Sequence, residues 1–312
     1  MSRSCLARSS SSPSIATSPS SKEWAKRADR WLIEYSTPYK GIVKPQYKFP
    51  DATGYVRGLY RMPGVTEEFV KVIEQTFFKK VDDQAAYAHQ RQLQRGKMTP
   101  RMREAWTLFV LSILMRSPKA VADTFEKFTE DLQEQWEHAK KQWTIDFPNE
   151  PPLGDHNPGM ARQYALIQLR RFIANDAIGM LIHSMTWVCL DLTKYRYRLL
   201  TSDRPVVMTN GLGYVDSHLA MPLSPTMLFV AATTQQGMDS IKAIPIRDLV
   251  YSCNKQLVQR AVKYVWAHDH SQEALILGQM SADAASDPSI FSSQDGPILG
   301  KELTPLAKKL SV

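Results

Sequence analysis

Residues 197–208 read Tyr-Arg-Leu-Leu-Thr-Ser-Asp-Arg-Pro-Val-Val-Met, and residues 221–232 read Met-Pro-Leu-Ser-Pro-Thr-Met-Leu-Phe-Val-Ala-Ala. In both segments, runs of apolar residues are separated by turn-forming residues. Pro205 fixes its own φ and disfavours a helical conformation at Arg204, and Asn210-Gly211 tolerates the positive φ of a hairpin turn. Near-continuous apolar runs are typical of strands that helices cover on at least one face. The stretch therefore predicts a small mixed or antiparallel sheet in the C-terminal half of the chain.

Most of the remaining chain has the periodicity of helices. Thr66 is a candidate N-cap, and Thr99-Pro100 is a further start signal because Pro is favoured at the first helical position. Apolar residues recur at spacings of three and four over residues 121–143, which predicts a long amphipathic helix. Further helices are expected over residues 22–35, 160–185 and 248–266. The predicted fold class is α+β, predominantly α-helical.

Composition shifts divide the chain into a central part and two tails. Residues 22–270 are expected to form a single globular domain, and the loop 147–159, with four prolines and two glycines, marks a candidate internal boundary. Residues 1–21 are rich in Ser and contain no acidic residue, which is the composition of a transit peptide, but they lack an amphipathic apolar face. We therefore expect residues 1–21 and 271–312 to be mostly disordered tails.

The overall composition limits the classes of function. The three cysteines are far apart in sequence, which is typical of neither a disulfide framework nor a metal site and fits a reducing cytoplasm. No apolar stretch approaches the roughly 20 residues that a membrane-spanning helix needs. The formal net charge of +8 favours a polyanionic partner without requiring one. The prediction is a cytoplasmic protein that acts away from membranes.

Sequence motifs of common enzyme classes are missing. The chain has no phosphate-binding loop, dinucleotide-binding glycine pattern, nucleophile elbow or zincin motif. His268-Asp269-His270 has no second cluster at metal-ligand spacing. We therefore predict neither a cofactor nor a metal site, and whether the protein is an enzyme stays open at this stage.

Two charged residues are candidates for a polar site. Asp203 lies at the end of an apolar run in a turn that Pro205 stiffens, where its carboxylate can accept hydrogen bonds or act as an acid or base. Arg171 interrupts an apolar helical stripe, and burial of a guanidinium is costly unless it is paired. One interpretation pairs Arg171 with Asp203 in a cleft that also involves Ser202 and Arg204. The alternatives are that Asp203 only caps its own turn and that Arg171 points outward into solvent.

A second candidate site alternates basic and aromatic residues. On a strand, residues 194–198 would place Tyr195 and Tyr197 on one face and Lys194, Arg196 and Arg198 on the other. Stacking rings with neighbouring cations suit single-stranded nucleic acid, although a hairpin with one solvated face has the same pattern. A second basic cluster is formed by Arg91, Arg95, Lys97, Arg101 and Arg103.

The turn residues also carry a family resemblance. Ser-Asp-Arg-Pro-Val-Val at 202–207, Pro-Leu-Ser-Pro at 222–225, Asn254 and Tyr-Val-Trp at 264–266 together resemble the domain-of-unknown-function family 4238, a mainly bacterial family without an established activity. The step Arg116-Ser117-Pro118 is similar to an Arg-Thr-Pro step in the middle of that family. The family usually opens with a His-Tyr-Val-Pro-like motif, whereas residues 39–49 contain no histidine, and no clear counterpart of the family's Glu lies in residues 82–93. The resemblance implies a helical protein with a small sheet whose function has to be argued from its own residues.

These observations support two hypotheses of function. The first is a protein that works by binding a partner, either a polyanion such as nucleic acid or an acidic protein, and its support is the positive charge and the basic–aromatic segment. The second is a hydrolase with a site around Asp203 and Arg171, for which nucleic acid is one candidate substrate. The contacts of Asp203 distinguish the two hypotheses.

Overall fold

The structure, a computed structural model, describes residues 21–25, 31–39, 42–54, 64–116, 118–155, 158–281, 292–293 and 296–297. The residues between these ranges and beyond them, including 1–20 and 298–312, lie outside the described part. The helices are Glu67–Ile73 (α1), Lys79–Leu93 (α2), Pro100–Met115 (α3), Pro118–Asp146 (α4), Pro158–Ile173 (α5), Asp176–His183 (α6), Gln235–Ala243 (α7), Ile246–Arg260 (α8) and Glu273–Gln279 (α9). The strands are Leu32–Tyr39 (β1), Ile42–Lys48 (β2), Thr186–Asp191 (β3), Thr201–Ser202 (β4), Val207–Met208 (β5), His218–Ser224 (β6), Met227–Ala232 (β7), Tyr264–Ala267 (β8), Ser292–Ser293 (β9) and Gly296–Pro297 (β10).

Several helices begin where a side chain satisfies a free backbone N–H group. The Thr66 hydroxyl accepts from the N–H of Phe69 at 3.3 Å, and the Thr99 hydroxyl accepts from the N–H of Met102 at 3.2 Å. Both start signals are confirmed. The expected helix over residues 160–185 is instead two helices, because the Asn175 side chain accepts from the N–H of Ile178 at 3.1 Å and starts α6 afresh.

The strands form two four-stranded antiparallel sheets and one short two-stranded ladder. Sheet A has the order β2-β1-β8-β4, and sheet B has the order β3-β7-β6-β5. The ladder joins β9 to β10. The α+β class, predominantly helical with small antiparallel sheets, is confirmed. The C-terminal placement is roughly right, because β1 and β2 are the only described strands that lie in the N-terminal half.

Sheet B is covered by helices on both faces. Phe229 of β7 packs into a large core with the helices that precede the sheet, including Trp106 of α3 and Leu169 of α5. Its neighbour Leu228 packs on the opposite face with Leu257 of α8. Every residue of β7 is buried, so the expectation drawn from the near-continuous apolar runs is confirmed.

The Ser-Asp-Arg-Pro turn connects the two sheets. β4 before the turn pairs with β8 in sheet A, and β5 after it pairs with β6 in sheet B. The two apolar runs around Pro205 therefore belong to different sheets. β5 and β6 form the hairpin expected at Asn210-Gly211, with a longer loop than a two-residue turn, in which the Asn210 side chain donates to Asp216 at 3.1 Å.

Three segments have a conformation other than the one expected. Residues 32–35, expected in a short helix, begin β1, where Ile33 pairs with Tyr47 of β2 and with Ala267 of β8. The helix expected to reach Trp266 ends at Arg260, and Tyr264–Ala267 is β8. Residues 271–279, expected in a tail, lie in the 3₁₀ turn His270–Gln272 and in α9. In each case a partner distant in sequence decides the conformation.

The loop that follows the long helix α4 packs back along that helix. Beyond the helix, residues 147–155 fold back so that the indole N–H of Trp136 donates to the carbonyl of Gly154 at 2.9 Å. The indole N–H of Trp143 donates to the carbonyl of Pro151 at 3.0 Å. The described part of the candidate boundary thus lies along α4. None of the described helices is both long and apolar enough to cross a membrane.

Arg116, the first residue of the Arg-Ser-Pro step, is held inside the helical part. Its guanidinium donates to both carboxylate oxygens of Asp82 on α2, at 2.6 and 3.1 Å, and its side chain is only 5% exposed. It also lies 5.0 Å from the ring centre of Phe78. A bidentate pair of this kind ties α2 to the junction of α3 and α4.

We expect Asp82→Asn to lower the free energy of unfolding by about 2 kcal/mol, because it removes the charged acceptor of two hydrogen bonds from the buried Arg116 guanidinium. Urea denaturation of the purified variant measures this loss. The adjacent Asp83 forms an exposed pair with Lys79 at 2.7 Å, and Asp83→Asn should change stability by less than about 0.5 kcal/mol. Equal effects of the two variants would show that the Arg116–Asp82 pair does not stabilise the fold.

Candidate functional site

Asp203 binds the backbone segment that leads into β8, the strand next to β4 in sheet A. One of its carboxylate oxygens accepts from the N–H of Val262 at 2.9 Å. The other accepts from the N–H groups of Lys263 and Tyr264, at 2.7 and 3.1 Å. In return, the N–H of Asp203 donates to the carbonyl of Tyr264 at 3.1 Å. Both oxygens of the carboxylate are therefore engaged in holding the segment that joins α8 to β8.

The electrostatics of Asp203 combine two opposed effects. Burial raises the pKa of its carboxyl group, and the three backbone N–H donors lower it. The donors are fixed main-chain groups, so the carboxylate is held in one orientation. This geometry supports the interpretation in which Asp203 caps a turn. The capped segment is residues 262–264, which are distant in sequence from Asp203.

The neighbours of Asp203 are engaged within the same turn. The Ser202 hydroxyl accepts from the N–H of Arg204 at 3.1 Å and donates to the carbonyl of Arg204 at 3.0 Å. Ser202 is buried and Arg204 is half-buried. These contacts close the turn on itself, as expected for Ser before an extended residue.

The residues that carry the family resemblance meet at one junction. Asn254 of α8 is fully buried, its carbonyl accepts from the N–H of Leu200 at 2.9 Å, and its amide donates to the carbonyl of Arg198 at 2.9 Å. Between these two, the carbonyl of Leu199 accepts from the indole of Trp24 at 3.1 Å, and the N–H of Leu199 donates to the carbonyl of Pro225 at 2.9 Å. The motif residues thus brace the segment that enters the Ser-Asp-Arg-Pro turn.

Arg171 does not take part in this junction. It lies on the exposed side of α5, and no hydrogen bond or ion pair joins it to Asp203, although both residues are described. The interpretation in which Arg171 points outward is the one that the geometry supports. The structure therefore does not bring together the two residues of the predicted polar cleft.

The basic–aromatic segment 194–198 is a turn, so the prediction that it forms a strand with two faces is wrong. Its backbone bends because the Arg198 guanidinium donates to the carbonyls of Tyr195 and Tyr197, at 2.6 and 3.1 Å. The Arg196 guanidinium lies 5.5 Å from the ring centre of Tyr197. Tyr195, Lys194 and Arg196 are exposed, so the turn presents one aromatic ring and two cations to solvent.

The second basic cluster divides into internal and external residues. Arg103 is internal: its guanidinium donates twice to the carbonyl of His183, at 2.7 and 2.9 Å, and lies 3.8 Å from the ring centre of Trp187. Burial lowers the pKa of Arg103. Arg91, Arg95, Lys97 and Arg101 are exposed around the α2–α3 turn.

The structure brings the two basic segments together. Arg95 ends α2 with a φ of 54°, a left-handed conformation that is unusual for a residue with a side chain. From there its guanidinium reaches the carboxylate of Asp191 at 3.2 Å, at the end of β3 and directly before the 192–198 turn. Hydrogen bonds from Thr193 lower the pKa of Asp191, and so do the charges of Arg95 and Lys194. We call the surface formed by Arg91, Arg95, Lys97, Lys194 and Arg196 the basic edge.

Sequence reasoning missed a buried polar group between α2, α3 and sheet B. His89 lies 6.0 Å from Trp106 in a stacked arrangement, and its Nε2 bonds the carbonyl of Leu223 at 3.1 Å. Gln92, one turn later, accepts from the Cys189 thiol at 3.4 Å. Burial lowers the pKa of His89. The sequence feature that indicates this buried polar group is the spacing of three residues between His89 and Gln92, which puts both on one apolar face of a helix.

The described residues contain no group of three or more His, Cys, Asp or Glu side chains placed to hold a metal ion. Of the His268-Asp269-His270 segment, His268 bonds the carbonyl of Trp24 at 3.2 Å and Asp269 caps the following turn through the N–H of Ser271 at 2.9 Å. His270 contacts two tyrosines and a glutamate. These three side chains therefore point to different partners.

Comparison with known proteins finds a family model described as "Protein of unknown function (DUF4238)", which matches residues 22–271 and so covers most of the chain. No curated protein and no solved structure matches the chain. The match includes the turn at Asp203, Asn254 and the basic edge.

We expect Asp203→Ala to lower the free energy of unfolding by about 2 kcal/mol, because three consecutive backbone N–H groups lose a charged acceptor. Chemical denaturation measures the loss. Asp216 is exposed and accepts one bond from Asn210, so Asp216→Ala should cost no more than about 0.5 kcal/mol. If Asp203→Ala is as stable as the wild type, the carboxylate is available for another role, as the hydrolase hypothesis requires.

The stability of the protein should fall as the pH drops from about 7 to about 5. A lowered pKa in the folded state means that the unfolded chain takes up a proton near pH 6.5 that buried His89 does not, so stability decreases below that pH. His89→Gln should make the loss of stability over this pH range smaller. His183 and His218, whose pKa values burial also lowers, account for a further part. Urea midpoints at several pH values test this, with His138→Gln on the exposed side of α4 as the control.

Proposed function

We propose that this chain, which belongs to the DUF4238 family of proteins of unknown function, binds single-stranded nucleic acid at the basic edge. The observation that supports the proposal is the Arg95–Asp191 ion pair at 3.2 Å. It joins two segments that are about 100 residues apart in sequence, each of which carries its own cations. Two weak signals in the sequence thereby become one continuous surface.

The charges of the basic edge suit a phosphate backbone. Arg91, Lys97, Lys194 and Arg196 are exposed, and the Asp191 carboxylate at this surface is paired with Arg95. The Arg91 side chain donates to the carbonyl of Lys97 at 3.3 Å, which keeps the α2–α3 turn in one shape. Cations on a fixed turn contact phosphates without first ordering a loop, so less conformational entropy is lost on binding.

Tyr195 supplies a surface for a base. Its ring is exposed between Lys194 and Arg196, and its carbonyl is held by the Arg198 guanidinium at 2.6 Å. Stacking of a base on an exposed ring contributes about 1–3 kcal/mol and requires an unpaired base. This ring favours single-stranded over duplex nucleic acid as the partner.

The contacts of Asp203 favour a structural role over hydrolysis at the Ser-Asp-Arg-Pro turn. Its two oxygens already accept three backbone N–H groups. Arg171 lies on the exposed side of α5 and does not contact this turn. A general acid or base at Asp203 would have to give up contacts that hold sheet A, so we place the function of the chain at the basic edge.

We expect a short single-stranded oligonucleotide to bind with an affinity that falls steeply between about 50 and about 200 mM salt. The triple variant Lys97→Gln, Lys194→Gln, Arg196→Gln should bind at least about tenfold more weakly and reduce the slope of log K against log salt by about 2. Tyr195→Ala should weaken binding with an unchanged slope, because stacking releases no counterions. Fluorescence anisotropy with a labelled oligonucleotide measures all of these.

The matched control removes three cations elsewhere. Lys71, Lys80 and Lys141 are exposed on α1, α2 and α4, and their replacement by Gln gives the same net charge as the first triple variant. Equal binding by the two triple variants would contradict a specific edge and leave only the net charge. No binding even at low salt would overturn the nucleic-acid proposal and leave an acidic protein as the partner to test.

A further inference from the structure

Three segments meet at the imidazole of His270, away from Asp203. The Glu273 carboxylate lies 2.8 Å from Nδ1, and the hydroxyl of Tyr47 on β2 lies 2.9 Å from Nε2. The hydroxyl of Tyr35 on β1 is 3.2 Å from Nδ1. An acid, a histidine and a hydroxyl are thereby arranged in a line, with one group on each ring nitrogen and a second hydroxyl beside the acid.

The hydrogen-bond partners of the His270 ring indicate which of its nitrogens carries the hydrogen. A carboxylate only accepts hydrogen bonds, so Nδ1 carries the hydrogen that is donated to Glu273. Nε2 of the neutral ring is then an acceptor, and the Tyr47 hydroxyl donates to it. This is the arrangement in which a histidine can remove the proton of a hydroxyl nucleophile while a carboxylate orients the ring.

The two tyrosines differ in access. Tyr35 is 0% exposed, and burial, together with the charge of Glu273, raises its pKa to about 12. Tyr35 therefore stays protonated at neutral pH, and its oxygen shares the Nδ1 hydrogen of His270 with Glu273. Tyr47 is 61% exposed, so its hydroxyl is the one that a substrate can reach.

This cluster is close to the 192–198 turn that contributes to the basic edge. Asp269 directly precedes His270, and burial opposes a fall in its pKa, but bonds from Ser271 and the charges of His268 and Arg198 lower the pKa of Asp269. Arg198 is the residue whose guanidinium holds Tyr195 and Tyr197 in that turn.

We propose that Tyr47, His270 and Glu273 form a phosphodiester-cleaving site, in which Tyr47 is the nucleophile, His270 the general base and Glu273 a positioning residue. As His270 Nε2 takes the phenol proton, the Tyr47 oxygen forms a bond to phosphorus and the bond from phosphorus to the leaving oxygen breaks. The leaving oxygen takes the proton back from Nε2. The product is a phosphodiester between Tyr47 and the remaining strand.

A second step releases the enzyme. Water loses a proton to His270 Nε2 and attacks the phosphorus, and the Tyr47 oxygen leaves and recovers that proton. The step uses only water as co-reactant, and the two steps together hydrolyse one phosphodiester bond. The natural substrate class, nucleic acid, rests on the function proposed above, whereas the chemistry does not.

The first experiment uses bis(p-nitrophenyl) phosphate, a small phosphodiester that does not need the basic edge. The full-length protein should release p-nitrophenol, and intact-mass analysis after acid quench should find the aryl phosphate on the peptide that contains Tyr47. Tyr47→Phe should abolish both, and His270→Gln should lower kcat by about 10²–10⁴-fold. Absence of turnover by the wild type, or full activity of Tyr47→Phe, would overturn the proposal.

Further variants distinguish an effect on catalysis from an effect on protein folding. Tyr47→Phe removes one exposed oxygen and should leave the Tm unchanged, and Tyr87→Phe, an exposed tyrosine on α2, should leave activity unchanged. Glu273→Gln should lower kcat per folded molecule and shift the acidic limb of the pH–rate profile, a change that a general loss of folded protein would not give. A loss of activity in proportion to lost folded protein would assign Glu273 a structural role and overturn its place in the site.

A single-stranded oligonucleotide substrate distinguishes the two proposals. The triple variant of the basic edge should lower oligonucleotide cleavage while leaving turnover of the small diester unchanged. If the small diester is cleaved and no oligonucleotide binds, the nucleic-acid proposal fails and the phosphodiester site stands. If oligonucleotides bind and neither substrate is cleaved, the reverse holds.

Discussion

The carboxylate of Asp203 is the interaction on which much of the C-terminal half depends. It accepts three backbone N–H groups from residues 262–264, at 2.7–3.1 Å, and so ties the end of β4 to the start of β8. Without this tie, three consecutive backbone N–H groups between α8 and β8 would lose their charged acceptor. Asn254 braces the preceding residues from α8 in the same way. A turn motif therefore acts as the joint between two sheets.

The joint explains how one small sheet can be buried on both faces while the other forms its own layer. Pro205 passes the chain from sheet A to sheet B, and β7 then packs one side against α1–α6 and the other against α7 and α8. Sheet A collects strands from both ends of the family-matched region, since β1 pairs with β8. Both proposed sites lie around this joint: the basic edge includes the turn that leads into β4, and His270 follows β8. Binding and chemistry would therefore be positioned by the same fixed segment.

Helix starts were predictable from the sequence because a cap is a local device. Thr66 and Thr99 needed only the N–H groups three residues later, so their signals survive without any tertiary contact. Strand β1 was not predictable in this way, because its two partners lie in β2 and some 230 residues away in β8. The residues of β8 continue the apolar periodicity of α8, so the sequence predicts them as part of that helix. Local periodicity cannot reveal a strand whose pairing partners are distant in sequence.

For the candidate sites, the sequence by itself determined which residues carry charge and rings: the cations of 91–103, the alternation of 194–198 and the turn at Asp203. Only the tertiary structure decided what they do. It turned Arg103 inward to a carbonyl, left Arg171 exposed, engaged Asp203 with backbone N–H groups, and joined Arg95 to Asp191 so that two clusters became one surface. It also placed Tyr47 on the imidazole of His270. The reason is physical: charge and ring identity belong to a single residue, whereas burial, pairing and proximity depend on segments that meet only after the chain has folded.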